Sequence, residues 1–259
     1  MERSIGFKAS KVALGTLCAV LCALALTCTD ALAYFTATDA AAYSFEVGEV
    51  AAADPEAFAV YSADDKSLSF YKRASVPTAG DTFEGKTATN VYRGIEDLYV
   101  PETKDVAAPW TKVSTNITSV TIVDSIAPNS CRSWFNLCRN MTEISGLDKL
   151  DTSHVLSFTK MFAGCTSLAA LDVADWDTSI ALSMKGMFYK CQNLVDLDVS
   201  KWDIGSVTDM SDMFNECRAL TSLDVAAWDT SSLIDAYSMF MYCLSLSALD
   251  VSGWSMGSV

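Results

Sequence analysis

The sequence is short of basic residues, and this shortage excludes two classes of partner. It contains 18 Lys and Arg residues against 32 Asp and Glu residues, which gives a formal net charge of −14. A chain without an excess of cations cannot displace counterions from phosphates, so we expect no nucleic-acid partner. For the same reason, we do not expect the chain to dock on an anionic membrane face.

Residues that carry catalytic chemistry are also scarce. His154 is the single histidine, and the sequence has no glycine-rich phosphate loop. A Ser, Cys or Asp nucleophile needs a base within hydrogen-bond reach, and His154 lies in the turn sequence DTSHV, where we expect an exposed residue. The sequence therefore predicts a protein that is not an enzyme and that uses no cofactor and no metal ion.

The first 33 residues have the pattern of a secretion signal. Arg3, Lys8 and Lys11 precede an uncharged stretch of 18 residues, and Ala31-Leu32-Ala33 forms a small-residue cleavage site. We predict a signal peptide over residues 1–33 and a linker over 34–57, with the rest of the chain outside the cytoplasm. An uncleaved membrane anchor is the alternative, because such a stretch is just long enough to span a bilayer.

The stretch over residues 33–50 reads AYFTATDAAAYSFEVGEV. It resembles the processing region of camelysin-like and biofilm-matrix secreted proteins of Gram-positive bacteria, which carry a similar AYF run followed by F-x-V-G-x-V. The resemblance implies export from the cell and implies nothing further about function.

Residues 58–130 predict a small β-rich cap. Two strands are expected at residues 58–62 and 67–71, because apolar and aromatic residues flank the polar turn at 63–66. The alternating sequence STNITSVTIVD, over residues 114–124, predicts a further strand.

Four similar lines follow the cap, and each begins 26 residues after the one before it. They share a Met-Phe pair, a cysteine and a tryptophan. The columns are Phe162, Phe188, Phe214 and Phe240; Cys165, Cys191, Cys217 and Cys243; and Trp176, Trp202, Trp228 and Trp254. We number these repeats one to four. A partial copy with Trp134-Phe135 and Cys138 precedes them, and a fixed period of this length predicts stacked repeats.

Each repeat contains two local periodicities. The apolar residues of MSDMFNEC, over residues 210–217, fall at i, i+3, i+4 and i+7, which predicts one face of a short helix. The pattern L-x-x-L-x-V over residues 220–225 then changes to a period of two, which predicts a short strand. We therefore predict an α/β leucine-rich-repeat solenoid over residues 131–259, truncated in mid-repeat, with one short parallel strand and one short helix per repeat.

These lines resemble the BspA-like leucine-rich-repeat surface proteins of bacteria. Those proteins carry MF-x-x-C-x-x-L-x-x-LD-V/L-S-x-W/F-DTS lines after a cap that contains AYAVYS, LTFY and PW, which correspond here to residues 58–62, 67–71 and 109–110. The resemblance implies a secreted or surface-attached protein that adheres to host matrix proteins or other cells. Two departures are Ala in place of the usual Ser at 174 and 226, and WSMGS in place of WDTS in the fourth repeat.

One column is a candidate binding site. We define the acidic column as Asp172, Asp198, Asp224 and Asp250. These residues are expected on the face of the predicted strands opposite the core, where carboxylates about 4.8 Å apart would repel each other. The column therefore predicts a strip that binds basic side chains of a partner or Ca²⁺. The alternative is a solvated polar face.

The other columns are expected to be structural. The tryptophans should be buried, and the repeat cysteines should be free thiols buried beside Met and Phe, because they do not occur in C-x-x-C pairs. Cys131 and Cys138 are the exception, since they lie close enough in sequence to form a disulfide candidate. The aspartates of the W-D-T-S motif should close turns with their own backbone.

The sequence thus predicts an extracellular binding or adhesion protein, whose repeat-built surface contacts a host matrix protein or another cell. Two alternatives stay open. One is a structural, self-assembling surface or biofilm-matrix protein, and the other is a Ca²⁺-dependent binding module.

Overall fold

The computed structural model describes residues 53–97 and 108–255. The predicted signal peptide, the stretch over 33–50 and most of the predicted linker lie outside the described residues. The described residues fall in one compact unit, Ala53–Val259. Within the described ranges, none of the helices has the length and apolar character needed to cross a membrane.

Regular structure in the described part is mostly strand. Five strands form a mixed sheet in the order β5-β1-β2-β6-β7, and β3 and β4 pair separately. The strands are β1 (Glu56–Ser62), β2 (Ser67–Arg73), β3 (Thr82–Phe83), β4 (Lys86–Thr87), β5 (Asn90–Arg93), β6 (Ser119–Ile122) and β7 (Glu143–Ser145). β1 pairs antiparallel with β2 and β5, whereas β2 with β6 and β6 with β7 pair parallel. The helices among the described residues are 3-10 helices at Ile95–Asp97, Thr111–Asn116 and Leu147–Lys149.

The first two predicted strands are confirmed as the hairpin of β1 and β2, in which Ser62 lies opposite Ser67. The predicted strand over residues 114–124 is confirmed only in part. Its first residues belong to the 3-10 helix Thr111–Asn116, and β6 covers only Ser119–Ile122. β7 lies beyond residue 130, so the sheet extends into the region where we expected repeats.

The predicted α/β leucine-rich-repeat solenoid is wrong. Its helix does not form, because residues 211–216 are consecutive turns in which Asp212 and Glu216 have φ of 58° and 62°. A left-handed residue at every fourth position is incompatible with a right-handed α-helix. The strand of each repeat does not form either, because residues 220–225 contain no strand. Pairing there reduces to isolated bridges such as the one between Ala170 and Asp196.

The apolar spacing fits turns as well as it fits a helix. Met213 N–H donates to Met210 O at 3.2 Å, and Cys217 N–H donates to Phe214 O at 3.0 Å. These i to i−3 bonds close tight turns whose inner side carries the same apolar residues that a helix would have buried. Met210, Met213, Phe214 and Cys217 are all fully buried, so the pattern reported burial correctly and backbone conformation wrongly.

The amides between these turns join each repeat to the next one. Phe214 N–H donates to Met239 O at 2.9 Å, and Glu216 N–H donates to Met241 O at 2.8 Å. We call these donors the forward amide row, because every one of them points to the following repeat. The row comprises Phe158, Lys160, Phe162 and Gly164 in the first repeat, Met184, Gly186, Phe188 and Lys190 in the second, and Met210, Asp212, Phe214 and Glu216 in the third.

Side chains of neighbouring repeats stack on one another in the core. The ring centroids of Phe162 and Phe188 are 5.8 Å apart, and those of Phe188 and Phe214 are 5.6 Å apart. Trp176 and Trp202 stack at 6.4 Å. Such aromatic pairs contribute about 0.5–1.5 kcal/mol each beyond the area that they bury. One apolar cluster runs from the sheet through the repeats.

Gly146 provides a test of how closely the sheet and the repeats approach. It has φ of 76°, and a Cβ atom there would overlap the carbonyl oxygen of Ile122. We expect Gly146→Ala to lower the free energy of unfolding by more than about 2 kcal/mol, because it adds a backbone clash to a strained φ. Urea unfolding followed by circular dichroism measures the change.

The matched control is Gly186→Ala. Gly186 also has positive φ, but a Cβ atom added there would lie 3.6 Å from its nearest neighbours. Non-glycine residues, Lys160 and Asp212, adopt positive φ at the same position of the neighbouring repeats. A loss of stability in this control equal to that of Gly146→Ala would contradict the assigned close approach.

Candidate functional site

The structure places the acidic column on the surface of the repeats. Asp172, Asp198, Asp224 and Asp250 are exposed. Asp198, for example, lies between the buried residues Leu197 and Val199. The alternation turns each carboxylate outward, and it does so without a regular strand.

Most of these carboxylates are engaged by their own chain. Asp198 Oδ1 accepts hydrogen bonds from the backbone N–H of Ser200 at 3.0 Å and from its hydroxyl at 2.7 Å. Asp250 Oδ1 accepts from Ser252 N–H at 2.9 Å. Donation from the Ser200 hydroxyl and N–H holds the pKa of Asp198 below its usual range, and the Ser252 N–H does the same for the pKa of Asp250. Both carboxylates are therefore ionised at neutral pH.

The acidic column does not gather the ligands of a metal site. Within residues 53–97 and 108–255, no group of three or more His, Cys, Asp or Glu side chains is placed where it could hold a metal ion. Ca²⁺ takes six to eight oxygen ligands, whereas each Asp of the column uses one oxygen in a local turn. The column therefore presents separate single carboxylates, which suit basic side chains better than a cation.

The aspartates of the W-D-T-S motif close turns, as predicted. Asp177 Oδ1 accepts from Ser179 N–H at 3.0 Å and from its hydroxyl at 2.7 Å. Asp203 and Asp229 accept in the same way from the amides two residues ahead, both at 3.0 Å. Asp151 forms the same turn with Ser153.

Tryptophan and cysteine side chains bond backwards to the preceding repeat. Each indole Nε1–H donates to a carbonyl 29 residues earlier, in the pairs Trp176 to Leu147, Trp202 to Val173, Trp228 to Val199 and Trp254 to Val225. Each repeat cysteine Sγ–H donates at 3.1 Å to a phenylalanine carbonyl, in the pairs Cys165 to Phe135, Cys191 to Phe162, Cys217 to Phe188 and Cys243 to Phe214. The predicted burial of the tryptophans is confirmed for repeats one to three. No pattern in the sequence predicted the bonds.

All six cysteines of the described residues are free thiols. Cys131 and Cys138, the pair that the sequence left open as a disulfide, are both fully buried and unpaired with each other. His154 is exposed, as expected for its turn, and its Nδ1 lies 2.9 Å from the Ser153 hydroxyl.

A row of exposed apolar residues is the feature that sequence reasoning missed. We define the apolar row as Leu156, Leu182, Thr208 and Ile234, which occupy the same position in successive repeats. Backbone bonds of 2.9 Å connect Leu182 N–H to Leu156 O, Thr208 N–H to Leu182 O and Ile234 N–H to Thr208 O. Leu156, Leu182 and Ile234 are 37%, 47% and 62% exposed. Their common period was the available signal.

Comparison with known proteins gives one match. Residues 129–254 match the model of the family described as "Mycoplasma protein of unknown function, DUF285". The match covers slightly less than half of the chain and is associated with BspA-like surface repeat proteins. No curated protein matches, and no solved structure matches. The chain is therefore similar to a bacterial surface repeat family through its repeats, which include the acidic column and the apolar row.

The buried thiols generate a prediction about reactivity. Burial raises the pKa of Cys138 and Cys191 to about 12 and also raises the pKa of Cys243, which is only half-buried. Because the thiolate is the reactive form, we expect iodoacetamide at pH 8 to modify Cys243 first and to leave Cys138 and Cys191 unmodified until urea unfolds the chain. Peptide mass spectrometry reads out each site, and rapid native modification of Cys191 would contradict the buried column.

The aspartate turns generate a prediction about pH. Hydrogen bonds from Ser153, Ser179 and Ser200 lower the pKa values of Asp151, Asp177 and Asp198 in the folded state. A lowered folded pKa stabilises the fold above the unfolded value of about 3.9, and this contribution is lost as the pH falls through the folded value.

We therefore expect the triple variant Ser153→Ala, Ser179→Ala, Ser200→Ala to melt at a lower temperature than the parent at pH 6, with a smaller difference at pH 2.5. Thermal unfolding by circular dichroism measures both. Ser247→Ala, at an exposed serine, is the control and should melt like the parent at each pH. A difference that does not depend on pH would rule out the carboxylates as its source.

Proposed function

We propose that this chain is an extracellular bacterial binding protein, whose repeats present a lateral surface to a protein ligand on host matrix or on other cells. The apolar row is the observation that carries the proposal. The secretion pattern of the N-terminus and the similarity to a family associated with surface repeat proteins support it.

The alignment of the apolar row distinguishes it from ordinary surface leucines. Single exposed apolar residues are normal on soluble proteins, whereas contiguous ones mark interaction sites. Backbone bonds between successive repeats bring Leu156 beside Leu182, at a spacing of roughly 5 Å. A ligand that lies along this row loses water from several apolar side chains at once, and the row itself needs no reordering to bind it.

The acidic column adds selectivity to this surface. Its carboxylates are ionised, exposed and carried by a chain of net charge −14. Such a field accelerates the approach of basic ligands and disfavours acidic ones. A protein ligand with both apolar and basic side chains therefore fits the repeats best. The Ca²⁺-dependent alternative lacks this support, because the described carboxylates are not grouped around a common point.

Self-assembly by stacking one chain on the end of another has less support than ligand binding. The forward amide rows all donate in one direction, so a stacked copy would have to offer a free row of carbonyls. In the partial copy that precedes repeat one, Trp110 donates its indole N–H to Trp134 O, and Phe70 stacks on the Trp134 ring. The sheet thus covers the face that such a copy would need.

Surface plasmon resonance against a panel of purified extracellular-matrix proteins tests the proposal. We expect the 259-residue chain to bind at least one of them. We expect Leu156→Ser with Leu182→Ser and Ile234→Ser to weaken that binding at least tenfold, because the variant removes apolar area at three aligned positions. Asp198→Asn with Asp224→Asn should weaken it less and should reduce its dependence on salt.

Lys112→Ala is the control, because Lys112 is exposed on the 3-10 helix Thr111–Asn116, away from the repeats. It should bind like the parent. Melting temperatures of all variants show whether the fold is intact. Binding that survives both sets of repeat substitutions would overturn the assignment of the lateral surface.

A further inference from the structure

The fourth repeat ends in a forward amide row that has no acceptors among the described residues. Its members are the N–H groups of Ala236, Ser238, Phe240 and Tyr242, which correspond to Met210, Asp212, Phe214 and Glu216 of the third repeat. The third-repeat amides all bond to carbonyls of the fourth repeat at 2.8–2.9 Å. The four amides of the fourth repeat bond to no carbonyl of the described residues. We call the surface that they form the end face.

Side chains at the end face are apolar where the third repeat has polar ones. Ser211 and Asn215 are buried beneath the fourth repeat, whereas Tyr237 and Met241, at the same positions, are exposed, Tyr237 at 76%. Residues 236–249 contain no charged side chain, in a chain with 32 acidic residues. A surface that served only to face water would not need this interruption in charge.

The aromatic columns are also open at this face. Phe214 and Trp228 are buried, whereas Phe240 and Trp254 are only partly buried against the core. Phe240 stacks on Phe214 at 5.6 Å, and Trp254 stacks on Trp228 at 6.1 Å. The opposite sides of both rings are the positions at which a further aromatic pair would stack.

Hydrogen-bond direction limits what can cover this face. A row made only of donors needs a partner row made only of acceptors, and an amide covered without an acceptor costs about 1–3 kcal/mol. The end face of a second copy offers the same donors and is not complementary. The acceptor face at the other end of the repeats is covered by Trp110 and Phe70.

We propose that the end face binds a segment of another protein that adopts the same turn-rich conformation and presents a row of backbone carbonyls with apolar side chains. The partner adds one more layer to the stack, as an added strand does at a sheet edge. This surface is separate from the apolar row, so the inference does not depend on the proposed lateral ligand.

A synthetic peptide with the sequence of residues 205–230 is the probe. It contains the carbonyls of Asp209, Ser211, Met213 and Asn215, which accept from the second repeat within the chain. We expect saturable binding of the fluorescein-labelled peptide to the 259-residue chain by fluorescence anisotropy. A peptide in which Phe214 and Trp228 are replaced by alanine should bind at least tenfold more weakly, because it cannot extend the aromatic columns.

Two variants of the chain locate the binding. Ala236→Pro removes one forward N–H that bonds to nothing within the described chain, and Tyr237→Lys with Met241→Lys places charges on the end face. Each should weaken peptide binding at least tenfold without changing the melting temperature. Leu182→Ser with Ile234→Ser, on the apolar row, is the matched control and should bind the peptide like the parent.

Absence of saturable binding would overturn the proposal, as would equal binding by the alanine peptide or by both end-face variants. Sedimentation velocity of the chain alone provides an independent check. We expect no dimer. A dimer that Ala236→Pro abolishes would show that a second copy occupies the end face, and the assigned partner would then be wrong.

Discussion

The one-way donation of backbone amides from each repeat to the next is the interaction on which the rest of the structure depends. Phe188 N–H reaches Met213 O, and Phe214 N–H reaches Met239 O, with the same offset of 25 residues. This offset fixes the register of neighbouring repeats. Once the register is fixed, like side chains must lie beside like, and the phenylalanine rings stack at 5.6–5.8 Å. A buried amide without a partner is costly, so a shift by one residue would lose both the bonds and the stacking.

The fixed register also explains why the repeated residues carry no catalytic chemistry. The tryptophan indole and the cysteine thiol each donate to a carbonyl of the preceding repeat, so these side chains complete the backbone bonding of the core. Binding then falls to the positions between the columns. Leu182 and Asp198 are exposed at such positions, and repetition places their counterparts in rows. The same mechanism that stabilises the interior thus organises the surface.

Sequence reasoning succeeded where the local signal was unambiguous. The β1–β2 hairpin, the burial of Trp176 and the turn closed by Asp177 were all predicted, because polar turns, apolar columns and Asp–Ser pairs act within a few residues. It failed over residues 210–217, because one apolar spacing fits both a helix and a run of tight turns. It also missed the apolar row, because an isolated leucine in an extended segment does not reveal which side faces solvent.

The sequence by itself determined the period of the repeats, the side chains that fill the core and the acidic character of the surface. These properties follow from the types of residue and their spacing, which folding does not alter. Only the tertiary structure decided the backbone conformation of each repeat, the direction of its hydrogen bonds and the exposure of Leu156 and Ile234. The reason is that every residue except proline offers the same N–H and C=O groups. Their partners lie 25 residues away in another repeat, where no local pattern identifies them.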